Sequence, residues 1–442
     1  MSFSYQWKRD GVAIPGAIAS TYAVTTADGG KIIICDVTNT NSMGSTTVSS
    51  SNSAAVPLAS PVNTVAPIVS GTASVGSTLT VTSNGTWTGA GTITYTYRWR
   101  RNLAAIPGAT SSTYVIKGDD GGYIDCLVKA TNSYGFSEKD SNDIGPVTLP
   151  YILDSVSGSQ SAWSVCRQLK TGITSPIRVR RSSDNAEANI SFAFGSINMS
   201  SLTSFIGSSS AYITTIYDQS GNGRHLTQTV NANQPRIALN GVLDMYNNKL
   251  TAYAESTSTT MSVASSTGMF NFFHNGTNSS LFGVASYNSS VNDTILFTTQ
   301  ASTTGSNPYN ATGVRLYLTP TLNFSLRVGK SRVADSLIPV LSTGLTPSPA
   351  FITARQYLYS VYIDADNATA ASRSSLYVNG GSALTGNTNT ATPAAGDAEG
   401  NAATFRVDGT SPLSFIQEII TFNTQPAVAT MRSNINGYYQ IY

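Results

Sequence analysis

Residues 5–44, YQWKRDGVAIPGAIASTYAVTTADGGKIIICDVTNTNSMG, return as residues 97–135, YRWRRNLAAIPGATSSTYVIKGDDGGYIDCLVKATNSYG. Trp7 aligns with Trp99, an offset of 92 residues, and Ile14-Pro15-Gly16 aligns with Ile106-Pro107-Gly108. Tyr22 aligns with Tyr114, and Cys35 with Cys126 after a one-residue deletion. This offset is the size of a β-sandwich domain. Tyr97, Trp99 and Arg101 alternate with Arg98 and Arg100, so Trp99 faces a core while arginines face water. IPGA and Asp-Gly-Gly supply turns, and Ile32 to Cys35 and Ile124 to Val128 read as buried strands.

The repeat sets the domain boundaries. A Ser/Pro-rich junction, SSSNSAAVPLASPVNTVAP (49–67), separates the two copies, and a second joint lies near GPVTLPYILD (145–154). The expected organisation is a partial module over 1–58, a full sandwich over 59–150 and a third domain over 151–442. The second copy runs from about Val62 before reaching its tryptophan, whereas six residues precede Trp7. The first module therefore exposes a sheet edge, and residues 1–58 are expected to dock on another protein. Beyond 150 the chain reads as short strands with Asn/Gly/Ser/Pro turns, the pattern of a jelly roll. Two helices interrupt it: AWSVCRQLK (162–170), from the spacing of Trp163, Cys166 and Leu169, and NMSSLTSFIG (198–207), closed by Gly207. The fold class is all-β.

Composition narrows the function. Charged residues are 11% of the 442, well under the usual quarter, while 22 Tyr and 15 Phe argue against disorder. A net charge of +2 gives no electrostatic reason to expect nucleic acid. The N-terminus MSFSYQWKRD has no apolar signal core and no run approaches a membrane span. Cys35, Cys126 and Cys166 lie far apart without metal-ligand spacing. No metal and no cofactor are expected. A surface-type composition without a secretion signal fits a virion, assembled in a host cytoplasm and released by lysis.

Tyr97-Arg98-Trp99, Ile106 to Ala109 and Cys126-Leu127-Val128-Lys129-Ala130-Thr131-Asn132 resemble the Y-x-W, I-P-G-A and C-x-V-x-A-T-N marks of bacterial and phage immunoglobulin-like repeats. The partner cysteine usual in such sandwiches is absent from VGSTLTVTS (75–83), which implies that Cys35 and Cys126 are buried free thiols. A second resemblance covers most of 155–442. AWSVCRQLKTG, IRVRRSSDNAEANISF (177–192), AYITTIYDQSGNGRHLTQ (211–228), QPRI (234–237) and FIQEIITFNTQ (415–425) are similar to the catalytic domain of fungal-type α-L-arabinofuranosidase B. That resemblance implies a concanavalin A- or laminin-G-like jelly roll, a fold also found in phage head and tail appendages. It places the catalytic acid about where Asp408 stands and a glutamate nucleophile in mid-domain. No glutamate occurs between Glu255 and Glu399, and the aspartates there are Asp293, Asp335, Asp364, Asp366 and Asp397.

On that gap the chain is expected to be no enzyme but a phage virion structural protein, an appendage, decoration or fibre subunit. It would be homo-oligomeric, anchored to other virion proteins through residues 1–58, with an outward jelly roll touching host-surface glycan. The alternatives are a glycoside hydrolase of arabinofuranosidase type and a bacterial surface adhesin.

YDQSGNGRHLTQTVNANQPRI (217–237) concentrates candidate site residues. Asp218 can accept backbone N–H bonds, and Gly221 and Gly223 can take positive φ, which makes a rigid turn. The other reading gives Asp218, Asn222 and His225 a glycan or metal role, with Tyr287 and Tyr309 as stacking platforms for sugar. Arg178 and Arg180 share one strand face by alternation and are expected to form surface ion pairs with Asp184 or Glu187.

Overall fold

The computed structural model describes residues 2–56, 59–89, 91–256 and most of 258–442; the longest stretches outside the described residues are 300–312, 346–354 and 383–403. The chain divides into two compact units, Met1–Thr148 and Leu149–Tyr442. Both are built from antiparallel strands, and the all-β class holds.

The sequence repeat becomes a structural repeat in the same register. Strand Ser2–Arg9 pairs with Ile33–Asn41 so that Trp7 lies opposite Cys35. Strand Thr94–Arg101 pairs with Gly122–Asn132 so that Trp99 lies opposite Cys126. Each tryptophan donates its indole N–H to a carbonyl twelve residues on, Ala19 at 3.0 Å and Ser111 at 2.8 Å. Each stacks on its tyrosine, Tyr22 at 5.8 Å and Tyr114 at 5.6 Å between ring centres. Each tyrosine hydroxyl then donates to a buried aspartate, Asp28 at 2.8 Å and Asp120 at 2.5 Å.

The copies differ in what covers them. In the second, Ile68–Ser70, Thr78–Ser83 and Thr113–Val115 form a second sheet, and Val69, Leu79, Trp99, Ile124, Cys126 and Val128 fill the space between. The first copy is one four-stranded sheet of Val12–Ala13, Ser2–Arg9, Ile33–Asn41 and Gly44–Ser49. Trp99 is wholly buried, and Trp7 only half-buried.

In the larger unit the sheets curl round one core in a jelly-roll-like arrangement. Strand Ser414–Phe422 is its spine, with Trp163 of Ser159–Ser164 and Gly283 of Ser279–Tyr287 flanking Ile419 on either side. Gly283 lies opposite Tyr359 of Arg355–Ile363, where any side chain would collide with the tyrosine ring. Inside, Trp163 stacks on Phe405 at 5.0 Å, and Phe270 packs on Phe405 at 4.6 Å.

The helix predicted over 162–170 does not form, because Ser159–Ser164 is a strand. Ser161, Ala162, Trp163 and Ser164 are all buried, so neither face shows the polar alternation that marks a half-buried strand. Helix Met199–Ile206 does form, with the Asn198 side chain accepting from the Ser201 N–H at 2.9 Å and Gly207 ending it. Helix Val428–Tyr439 buries Met431, Ile435, Tyr438 and Tyr439 along one stripe.

Candidate functional site

The stretch 217–225 leaves strand Ala211–Ile216 and closes back on Ser159–Ser164. Asp218 is buried at its centre. One carboxylate oxygen accepts from the N–H groups of Ala162 (2.8 Å) and Ser220 (2.9 Å). The other accepts from the Ser220 hydroxyl (2.8 Å) and the Arg224 N–H (3.0 Å). Gly221 and Gly223 have φ of 94° and 71°, which lets the chain double back. Gln219 accepts from the Leu169 N–H at 2.7 Å and donates to the Arg167 carbonyl at 3.1 Å. Asn222 donates its amide to the carbonyls of Ser159 and Gln160 at 3.0 and 3.1 Å. His225 Nδ1 accepts from the Asp218 N–H at 3.0 Å, so its proton sits on Nε2, and its ring meets Tyr217 edge-on at 5.2 Å. The loop is a hydrogen-bonded latch. It brings Asp218, Asn222 and His225 together, but the carboxylate and the Asn222 amide are spent on the chain itself. Tyr287 lies at the end of strand Ser279–Tyr287, opposite Arg355 and Ser414, and Tyr309 lies outside the described residues.

Asp408 lies on strand Arg406–Gly409, paired with Thr260 of Thr259–Val263. Strand Thr294–Thr298 also joins it, through Thr298 opposite Arg406. Beside this pair is an apolar pocket lined by Ile216, Leu226, Pro235, Ala252, Met261 and Val407. Asp293, Asp335, Asp366 and Asp397 lie outside the described residues. Asp364 follows strand Arg355–Ile363 and accepts from the Asn367 amide at 2.9 Å.

A polar cluster that the sequence did not disclose lies under helix Val428–Tyr439. Arg167 grips Glu418 with two bonds, of 2.7 and 2.6 Å, and donates to Asn434 at 2.6 Å. Tyr439 donates to Glu418 at 3.1 Å. Burial opposes the charge on Arg167, and Glu418 overcomes that cost and holds the guanidinium above its ordinary pKa. Burial pushes the neighbouring Cys166 thiol up to about 12. Glu418 is fully engaged and buried, so it is closed to a sugar in solvent. Arg167 and Glu418 are 251 residues apart, and no local signal links them.

Of the two arginines expected to form surface ion pairs, Arg178 does so and Arg180 does not. Arg178 pairs with Glu187 at 2.5 Å and Arg181 with Asp184 at 2.6 Å. Arg180 is buried and bonds to the amide oxygens of Gln234 (2.7 Å) and Asn185 (2.9 Å). The alternation expected along 177–181 holds against strand Glu187–Ile190. The extra residue of the bulge, Thr214, lies on the partner strand. Arg180 is buried because Tyr212, Gln234 and Asn185 surround it. Among the described residues no group of three or more His, Cys, Asp or Glu could hold a metal ion.

The family model for the catalytic domain of alpha-L-arabinofuranosidase B matches residues 155–281. Among curated proteins, a probable alpha-L-arabinofuranosidase B of Aspergillus terreus (strain NIH 2624 / FGSC A1156) is 44% identical over 71 residues, 15% of this chain and 14% of that protein. The match thus spans about a seventh of the relative's length. Among solved structures, a GH54 arabinofuranosidase soaked with a cyclic sulfate inhibitor has a TM-score of 0.44 at 17% identity, covering 66% of this chain and 65% of that one. An arabinofuranosidase complexed with arabinofuranosyl-alpha-1,2-xylobiose has a TM-score of 0.43 at 17% identity, covering 66% and 64%.

These findings overturn two expectations. The family model and the curated relative point to an arabinofuranosidase, not to a virion appendage, decoration or fibre protein for host attachment. They equally contradict the reading of a chain without catalytic function. Low surface charge reports on solubility and not on chemistry, so it could not support the virion reading. The glutamate-free interval excluded one residue type at one place in the sequence. It did not exclude a carboxylate brought in by the sheet.

Proposed function

We propose that the unit Leu149–Tyr442 is a glycoside hydrolase of arabinofuranosidase type that removes α-L-arabinofuranosyl groups. The observation that carries this is the arabinofuranosidase B match over 155–281, which contains the latch and the first strands of the core. In this reading Asp408 is the general acid and gives its proton to the leaving oxygen as the glycosidic bond breaks. A second carboxylate attacks the anomeric carbon, and water then releases the sugar from the glycosyl-enzyme, returning a proton to Asp408. With Glu418 engaged by Arg167, Glu187 by Arg178 and Glu255 by Arg236, and no glutamate between 255 and 399, the nucleophile in this reading is an aspartate. Asp293 is the first to test, because it immediately precedes the strand that joins the Asp408 strand. The copies within 1–148 are supporting modules in this reading, and their repeated Trp–Cys register favours an immunoglobulin-like assignment.

The test is release of 4-nitrophenol from its α-L-arabinofuranoside by the full chain. Asp408→Asn is expected to lower kcat by about 100-fold or more, the usual contribution of a general acid. Asp293→Asn is expected to abolish turnover. No turnover by the unmodified chain, or an Asp408→Asn rate equal to it, overturns the proposal.

A further inference from the structure

Arg180 heads a row of residues that cross-strand pairing sets side by side. Arg180 lies opposite Tyr212, Tyr212 opposite Arg236, and Arg236 opposite Tyr253. Each arginine lies over a tyrosine ring, Arg180 at 5.1 Å from Tyr212 and Arg236 at 4.4 Å from Tyr253. Cation and ring thus alternate across four strands.

The two arginines are neutralised differently. Arg236 holds Asp244 through two bonds of 2.8 Å and also binds Glu255. Arg180, more deeply buried, has only the neutral amides of Gln234 and Asn185, and no described carboxylate lies within ion-pairing reach. Its cross-strand neighbour Glu187 is drawn off by Arg178. Among the described residues the other buried arginine, Arg167, has its own glutamate. A buried guanidinium without a counter-charge is costly unless something else supplies one.

The geometry of what remains is specific. Gln234 fixes Nε and Asn185 takes one Nη1 hydrogen, so the plane of the group is set. Among the described residues Nη2 has no acceptor, and it is not fully sealed from solvent. A planar, oriented edge of this kind matches a carboxylate. Half-buried Tyr212 and exposed Asn185 border it, offering a ring and an amide to the body of a sugar.

We propose that Arg180, framed by Tyr212, Gln234 and Asn185, is a binding site for the carboxylate of a uronic acid residue. It uses neither Asp408 nor hydrolysis, so it stands or falls separately from the catalytic reading. The probes are sodium D-glucuronate, sodium acetate, inorganic phosphate and methyl glucoside, titrated calorimetrically into the full chain at constant ionic strength. Glucuronate is expected to bind in roughly the millimolar range, acetate more weakly and methyl glucoside not at all. Arg180→Gln is expected to weaken glucuronate by about tenfold or more. Should that variant fail to fold, Gln234→Glu carries the test, because it gives Arg180 an internal carboxylate and is expected to abolish binding while the far-ultraviolet spectrum stays unchanged. Equal binding by a folded variant and the unmodified chain overturns the site. Tighter binding of phosphate than of glucuronate overturns the carboxylate assignment, and equal binding of acetate and glucuronate overturns the sugar.

Discussion

Two aspartates in equivalent places carry opposite protonation preferences. Burial pushes the Asp28 carboxyl up, but hydrogen bonds from the Thr25 N–H, the Tyr22 hydroxyl and Arg9 outweigh it and hold the group down at about 2. At Asp120 burial again pushes up, and there it prevails over the Tyr114 hydroxyl and Lys117 N–H, with like charge from Asp119 adding to it. The larger part of the difference is burial, since only the second copy has a covering sheet. Asp119, standing where the first copy has Ala27, adds to it. Asp28, depressed on folding, contributes stability that is complete above the unfolded value near 4 and is lost as pH falls toward about 2. Asp120, raised on folding, contributes most in acid, and its contribution falls as pH rises through its folded value. Asp119→Ala is expected to lower the Asp120 pKa, read by carboxyl carbon NMR during a pH titration. An unchanged Asp120 titration would show that the neighbouring charge is not responsible.

At the scale of elements, the closing strand Ser414–Phe422 and helix Val428–Tyr439 are tied to the start of the same unit by Arg167, Glu418, Asn434 and Tyr439. Removing one partner leaves the other charge buried, at a cost of about 3–5 kcal/mol, whereas apolar replacement of both is often near neutral. Glu418→Gln is therefore expected to lower the urea midpoint sharply and to speed alkylation of Cys166. Arg167→Met with Glu418→Leu is expected to cost less than Glu418→Gln alone. A double variant less stable than the single one contradicts this account. Such a tie is invisible to a local reading, because its members are brought together only by the sheet. What was legible had local periodicity: the Trp–Cys repeat, the Asn198-capped helix and the turn at 218–223. The spacing of Trp163, Cys166 and Leu169 over 162–170 imitates a helix because the strand Ser159–Ser164 and the irregular chain after it are both buried. Arg180 falls on the face that alternation gives it, but its burial by Tyr212, Gln234 and Asn185 depends on residues up to 54 positions away and leaves no local signal.

The whole molecule consists of units with separate cores. The Trp99 cluster closes within 69–147, and the larger cluster draws its residues from 149–439. The residues invoked for catalysis and carboxylate binding, Asp408, Asp293 and Arg180, all belong to the larger unit, as does the latch at Asp218. A core that size, with Trp163, Phe270, Phe405 and Phe422 fully or almost fully buried, is sufficient for independent folding. Residues 149–442 expressed alone are therefore expected to fold cooperatively and to keep kcat/KM on the aryl arabinofuranoside within about twofold of the full chain. Calorimetry of the full chain is expected to show the transition of that fragment together with a second one belonging to 1–148. A single cooperative transition, or a fragment that folds but loses turnover, would mean that the smaller unit contributes to the site. The modules would then have to be counted among the substrate-handling parts of the protein.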